Sequence, residues 1–290
     1  MSEEIRTEKP KYLQGKSDWL FLTNDTNRTI DQITGNLPLN ETEINKWKNL
    51  FSRRKEEFLK RQIKYIYFVA PNKECVYPEF LPDPILISPH RAVNQLIDEL
   101  GEDFFKYPLK QMLSHKPTWQ LYSKGDSHWN GYGAFTAYQN LIKGLGLSPL
   151  EDIDVDFIEE TKEGDLSKWI GETNKNITYK IRKPKAARTQ NNNIANIGNY
   201  MLFENANKNL PRAVLFRDSF STQLFSLLAE NFSRLVAVWQ PNIDYKIVDA
   251  EKPDFVISQQ AERFLIRCPD DVNDPSHEQY VKQKLDALRS

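Results

Sequence analysis

The segment around His128 combines a carboxylate and an imidazole at a spacing that suits proton transfer. Asp126 lies two residues before His128, and Asn130 follows as the candidate start of a helix. Residues i and i+2 of an extended chain project to the same side, so the carboxylate can accept the imidazole N–H and fix its tautomer. The same residues also fit a local cap at Asp126 beside a half-buried surface histidine. Spacing alone leaves both interpretations open.

A serine at the end of a predicted strand supplies a candidate nucleophile. Residues 213–216 are apolar, and Asp218 and Ser219 separate them from a helix predicted over 220–230. Backbone N–H groups at a helix start can face a developing oxyanion, and we expect those of residues 219–220 to do so. The Gly-x-Ser-x-Gly pattern of strand–turn–helix nucleophiles is absent, and serine is also an ordinary N-cap.

Together the two segments supply the three groups of an acyl-transfer site, in the chain order Asp126, His128, Ser219. These would act as orienting acid, base and nucleophile. The other three histidines have no carboxylate at metal-triad spacing, so we predict no metal site. They are His90, His115 and His277.

The first half of the chain alternates helices and strands that can position these groups. Asn40 and Glu43 have the spacing of a capping box, and the apolar residues that follow predict a helix over 41–61. Residues 63–70 are β-branched and aromatic, which predicts a strand. Further helices are predicted over 89–100 and 130–143.

The second half predicts an α/β sheet preceded by a small β region. Strands are predicted at 155–161 and 177–182, and the polar, basic stretch 180–193 is expected to be an exposed loop. Short apolar strands then alternate with the helix over 220–230, which favours a parallel sheet covered on both faces. These strands are predicted at 213–216, 235–239 and 255–258.

This pattern predicts one α/β domain over residues 15–290, with an insertion at about 150–195. Residues 1–14 are polar and are expected to form a flexible arm. Two independent domains are the alternative organisation.

Composition excludes several classes of protein. The 290 residues hold 39 basic and 40 acidic side chains, so bulk attraction to nucleic acid or an anionic membrane is not expected. Two cysteines cannot form a disulfide framework. No apolar run approaches the roughly 20 residues of a membrane span. The first fifteen residues lack the apolar core of a signal peptide, which predicts a cytoplasmic location if the chain is complete.

The chain resembles the SGNH hydrolase-like O-acetyltransferases of bacterial exopolysaccharide synthesis, the alginate AlgJ/AlgX type. The resemblance covers about residues 15–268, and its most specific part is the pair of segments at 126–130 and 217–221. Weaker similarities lie at 15–21, 71–73, 76–79, 164–166, 253–257 and 262–263.

The resemblance implies a three-layer α/β/α SGNH fold, flavodoxin-like, with a mostly parallel sheet and a small β insertion. It implies Ser219 as nucleophile, His128 as base and Asp126 as its orienter. The implied reaction takes an acetyl group onto serine and passes it to a hydroxyl of an exopolysaccharide or cell-surface glycan. A glycan acetyl esterase and a non-catalytic glycan-binding protein on the same fold are the alternatives. Arg217 stands where a Gly-Asp-Ser block would have glycine.

The resemblance also suggests substrate contacts and partners. Trp129 is a candidate for stacking on a sugar, and Lys73 and Arg217 are candidates for holding a sugar carboxylate or an oxyanion. No cofactor is expected, only an acetyl donor as substrate. The expected partners are a polysaccharide or oligosaccharide acceptor and a membrane protein that donates acetyl groups. The family relation implies a periplasmic location if an export segment is missing.

Overall fold

The computed structural model describes residues 9–101 and 105–289, in which strands and helices alternate along most of the chain. The strands are β1 (Tyr12–Gln14), β2 (Leu20–Leu22), β3 (Lys64–Ala70), β4 (Phe105–Lys106), β5 (Val155–Glu163), β6 (Thr173–Ile181), β7 (Ala186–Asn191), β8 (Tyr200–Asn205), β9 (Arg212–Arg217), β10 (Arg234–Trp239) and β11 (Phe255–Ala261). The helices are α1 (Thr29–Ile33), α2 (Glu41–Lys60), α3 (Lys73–Val76), α4 (Ala92–Leu100), α5 (Leu109–His115), α6 (Gly131–Gly144), α7 (Phe225–Ala229), α8 (Tyr245–Glu251) and α9 (His277–Arg289).

The central sheet has seven strands in the order β4-β3-β11-β9-β10-β8-β7. The five strands from β4 to β10 are parallel, whereas β8 and β7 pair antiparallel at one edge. Strand β9, which leads to Ser219, lies in the middle between β11 and β10. Parallel strands bring their carboxyl ends to one edge of the sheet, which is where such folds build their sites.

Helices cover both faces of the sheet because successive strand residues point to opposite sides. In β3, Tyr65, Tyr67 and Val69 pack with α2 and α4, whereas Ile66 and Phe68 pack with α6 and α7. The predicted three-layer α/β/α arrangement with a mostly parallel sheet is therefore confirmed.

The capping box that predicted α2 is present. Asn40 accepts from the Glu43 backbone, and the Glu43 carboxylate accepts from the Asn40 backbone. The predicted helix over 220–230 divides into a 3₁₀ turn, Ser219–Gln223, and the short helix α7.

The polar stretch 180–193 was expected to be an exposed loop, and this expectation is wrong for most of its length. Residues of β7 pair with β8 and form the edge of the central sheet. Within the predicted insertion, β5 and β6 pair with each other in a two-stranded sheet separate from the central one. An edge strand exposed on both faces carries polar residues without apolar alternation, so its sequence does not look like a strand.

The expected flexible arm of residues 1–14 does not extend to residue 14, because β1 pairs with β2. Residues 1–8 lie outside the described part of the chain. Both cysteines are free thiols, with Cys75 buried and Cys268 half-buried. In the described ranges, no helix has the length and apolar character needed to cross a membrane.

Candidate active site

The three side chains predicted to act together lie in contact at the carboxyl edge of the sheet. Nε2 of His128 lies 2.8 Å from Oγ of Ser219. On the other side of the ring, Nδ1 lies 3.0 Å from Oδ1 of Asp126. The carboxylate fixes the proton on Nδ1, which leaves Nε2 free to accept the serine proton.

Ser219 is held in a 3₁₀ turn directly after β9. The Asp218 carboxylate accepts from the backbone N–H of Phe220 at 2.9 Å and from that of Ala261 in the neighbouring strand. Ser221 donates to Oε1 of Gln259 at 2.6 Å, which ties the turn to β11 a second time. The turn is therefore fixed to the sheet by side chains on both sides of the serine.

These contacts correct the predicted oxyanion site. The N–H of Phe220 is occupied by Asp218, so it is not free to hold an oxyanion as expected. Of the two predicted donors, only the Ser219 N–H lacks an acceptor among the residues described. The sequence could not show this, because the carboxylate of an N-cap aspartate can accept from the backbone N–H of more than one residue in the turn that follows it.

His128 is positioned by a tight turn at Asp126. The Asp126 carboxylate also accepts from the His128 backbone N–H, at 2.9 Å. Burial raises the pKa of the Asp126 carboxyl, but the hydrogen bonds and charge of His128 outweigh burial and hold that pKa well below its usual range. The carboxylate is thus ionised at neutral pH and can stabilise an imidazolium.

A second carboxylate, Asp165, lies beside the imidazole and was given no role by the sequence. It accepts from the backbone N–H of Ser127 at 2.7 Å and from its hydroxyl at 2.6 Å, and its Oδ2 lies 3.5 Å from Nδ1 of His128. The approach depends on two glycines, because a Cβ on Gly164 would lie 2.2 Å from the carbonyl oxygen of Gly125. Asp165 therefore orients the loop that carries His128.

Asp126, His128 and Asp165 also form the kind of cluster that can hold a metal ion, since one ligand atom of each lies within 4.8 Å of the others. No metal site was predicted here. The oxygens involved are already acceptors for Ser127 and His128, so a cation would have to replace those hydrogen bonds.

Lys73 lies under the same loop, where it is 1% exposed. Its ammonium donates to four backbone carbonyls within 3.0 Å, three of them in residues 123–126 and one on Leu20. Burial lowers the pKa of Lys73 to about 7. These contacts argue against the predicted substrate contact, because the ammonium is enclosed and its donors are used by the loop that carries Asp126.

Trp129 is also enclosed, at 1% exposure, so its ring is not available for the predicted stacking on a sugar. Its Nε1–H donates to the carbonyl of Phe220 at 3.1 Å, and the two rings meet edge to face. Trp129 therefore connects the histidine loop to the serine turn.

Arg217, the third predicted substrate contact, is 2% exposed and packs flat against the side chains of β10 and α7. Its guanidinium lies 4.0 Å from the Trp239 ring centroid, and it donates to Asn199 and to the Asp218 carbonyl. Burial lowers the pKa of Arg217 to about 10. Arg217 also lines a cavity of about 350 Å³ beside the serine turn, together with Trp239 and Gln260.

Comparison with known proteins finds a matching family model and solved structures with the same fold. The family model described as SGNH hydrolase-like domain, acetyltransferase AlgX, matches residues 12–240. No curated protein sequence gives a significant match.

Solved structures share the fold at low sequence identity. The O-acetyltransferase domain of Pseudomonas putida AlgJ is 17% identical with a TM-score of 0.59, and the alignment covers 96% of this chain and 100% of that one. Bacillus cereus PatB1 is 15% identical with a TM-score of 0.62, over 79% of this chain and 94% of that one. Pseudomonas aeruginosa AlgX is 15% identical with a TM-score of 0.56, over 94% and 65%. Because the family model spans most of the sequence, the chain belongs to the SGNH hydrolase-like acetyltransferases of the AlgX family.

Proposed function

We propose that this acetyltransferase moves an acetyl group to a hydroxyl of a bacterial exopolysaccharide or cell-surface glycan through an acetyl-serine at Ser219. The observation that carries the proposal is the 2.8 Å contact between Ser219 and His128, with Asp126 on the far side of the ring. The geometry is that of an activated nucleophile with its base and orienter.

In the first half-reaction, Nε2 of His128 takes the proton of Ser219 while Oγ attacks the acetyl carbonyl carbon. The Ser219 N–H faces the oxyanion of the tetrahedral intermediate. The bond to the donor's leaving group then breaks, and His128 returns the proton to that group. In the second half-reaction, His128 takes a proton from the acceptor hydroxyl, whose oxygen attacks the acetyl carbon. The bond between that carbon and Oγ of Ser219 then breaks, and His128 returns the proton to Oγ.

The proposal assigns no metal or cofactor to this reaction, only an acetyl donor, which a membrane partner protein would supply. Support comes from the hydrogen bonds that already use the oxygens of Asp126 and Asp165. Dialysis against a chelator is expected to leave turnover of an acetyl ester unchanged. Loss of turnover that added zinc or manganese restores would contradict this part of the proposal.

The decisive experiment compares the wild type with Ser219→Ala, using a chromogenic acetyl ester with and without oligosaccharide acceptors. We expect the variant to lose at least about 1,000-fold in kcat, and the wild type to form a trapped acetyl-serine visible by mass spectrometry. Ser226→Ala is a matched control, since Ser226 contacts Tyr179 instead of His128. Equal turnover by Ser219→Ala and the wild type would refute the serine mechanism.

Product analysis in the same experiment separates transferase from esterase. Both activities pass through the same acyl-enzyme, so loss of turnover in Ser219→Ala cannot distinguish them. A transferase acetylates the oligosaccharide, whereas an esterase releases only acetate.

A further inference from the structure

Arg263 is a nearly buried cation without a hydrogen-bond acceptor among the residues described. It is 7% exposed, and its guanidinium lies 5.1 Å from the ring centroid of Phe220 and 5.3 Å from that of Phe264. Its sequence neighbour Glu262 is already occupied, because Arg91 and Tyr107 donate to its two oxygens.

Two other buried arginines, unlike Arg217, are paired with a carboxylate. Arg54 pairs with Asp271 at 2.7 Å, and Arg91 pairs with Glu262 at 2.8 Å. The 7% of Arg263 that stays exposed leaves its nitrogens open to solvent, and a guanidinium with unused donors in a largely desolvated place is suited to bind an anion. Arg263 differs from both because no carboxylate in the described chain accepts a hydrogen bond from it. Burial raises the pKa of the Glu74 carboxyl and the charge of Arg263 lowers it by a smaller amount, but Glu74 accepts from the Leu22 backbone instead.

Arg263 lies close to the reacting groups. The Phe220 ring that it contacts also lies 4.8 Å from the His128 ring, centroid to centroid. Arg263 follows β11, whose last residue, Ala261, donates to the Asp218 carboxylate. The guanidinium and the catalytic imidazole therefore share one aromatic neighbour at the carboxyl edge of the sheet.

We propose that Arg263 binds an anionic group of the acceptor glycan, a carboxylate or a sulfate or phosphate ester, while His128 activates a hydroxyl of the same molecule. This inference rests on the proposed function. The planar guanidinium matches such oxyanions with paired hydrogen bonds. The acetyl group is uncharged and becomes covalently bound, so the acceptor is the substrate that must be held by non-covalent contacts during the second half-reaction. Arg263 is thus a specificity-determining residue.

The test measures acetyl transfer from one neutral ester donor to oligosaccharides of equal length that are neutral, carboxylated or sulfated. We expect the wild type to prefer a charged acceptor. In Arg263→Gln, the ratio of kcat/KM for that acceptor over the neutral one should fall about 10- to 100-fold, mainly through KM. Arg263→Lys should retain part of the preference, because lysine keeps the positive charge but lacks the paired donors of the planar guanidinium.

Arg267→Gln is the matched control, since Arg267 is exposed on the next turn and donates only to the Thr26 carbonyl. It removes the same charge and should keep the preference. A loss of rate in Arg263→Gln that is equal for neutral and charged acceptors would show a structural role and refute the proposal. The absence of any charged preference in the wild type would refute it as well.

A binding experiment distinguishes failure of this inference from failure of the proposed function. Titration of Ser219→Ala with the charged oligosaccharide should give a Kd that rises about 10- to 100-fold when Arg263→Gln is added. That result would support Arg263 even if Ser219 proved dispensable for turnover. An unchanged Kd would refute the role of Arg263 while leaving a Ser219-dependent reaction intact.

Discussion

Replacing Trp129 with phenylalanine tests whether this side chain positions the serine turn or stacks on a sugar. The variant keeps an aromatic ring but removes the Nε1–H that donates to the Phe220 carbonyl at 3.1 Å. That carbonyl belongs to the residue after Ser219. Because Trp129 is 1% exposed, no water takes the place of the lost donor without a change in packing.

The expected loss of unfolding free energy has two parts, the lost hydrogen bond and the smaller ring. An unsatisfied buried acceptor costs about 1–3 kcal/mol, and the smaller ring adds part of a large-to-small core substitution. We expect a total of about 2–4 kcal/mol, which lowers Tm by about 3–7 °C in a chain of this size. If about 1.4 kcal/mol of this is alignment of Ser219 in the transition state, kcat falls about tenfold. KM for the acceptor should stay the same.

The assay is acetyl-ester and acceptor kinetics at a temperature well below both melting points, with Tm from circular dichroism. Trp119→Phe is the matched control, because Trp119 loses the same ring volume but stacks on Tyr132, 4.9 Å away, instead of contacting Phe220. It should leave kcat close to wild type. A raised acceptor KM with unchanged kcat and Tm in Trp129→Phe would refute the positioning role and restore the stacking interpretation.

Three further predictions concern the loop that carries the histidine. The pKa of Asp126 is lower in the folded protein than its unfolded value of 3.8, so its stabilisation is present above that value and is lost at lower pH. The Tm difference between wild type and Asp126→Asn should therefore stay constant from about pH 6 to about pH 4 and narrow as the pH falls further toward about pH 2, and a difference that does not change below about pH 4 would contradict it. Lys73→Met leaves the carbonyls of residues 123–126 without their donor and should lower the unfolding free energy by about 2–4 kcal/mol in urea titrations; an unchanged midpoint would count against this role. Asp165→Asn and Ser127→Ala should each lower kcat, and a double-mutant cycle should show a coupling of at least about 0.5 kcal/mol; additivity would exclude their cooperation.

The reacting groups could be predicted because each is encoded by short-range sequence. Asp126 and His128 are two residues apart, and their contact requires only a local turn. Ser219 follows an apolar strand directly, so its place at the sheet edge follows from strand and helix patterns. The contact between His128 and Ser219 is long-range, and it was expected because both segments suited one chemistry.

The supporting residues could not be assigned in the same way. Asp165 reaches Ser127 only because two glycine-containing loops approach closely, which nothing in either loop indicates alone. Trp129, Lys73 and Arg217 have side chains that suit sugar binding and internal packing equally well. Only burial and partners distinguish these roles, and all three are enclosed in the fold.

The two halves of the site differ in how they are held, and this difference bears on mechanism. The serine turn is fixed from β11 through Asp218 and Ser221 and from the histidine loop through Trp129. The pair of Ser219 and His128 is therefore assembled without any ligand, as electrostatic preorganisation requires. Arg263 is the opposite case, since its guanidinium has aromatic neighbours and no acceptor in the described chain. The groups that transfer the acetyl group are thus already aligned, whereas Arg263 has unused donors next to them. We expect an enzyme with this arrangement to select its acceptor by charge.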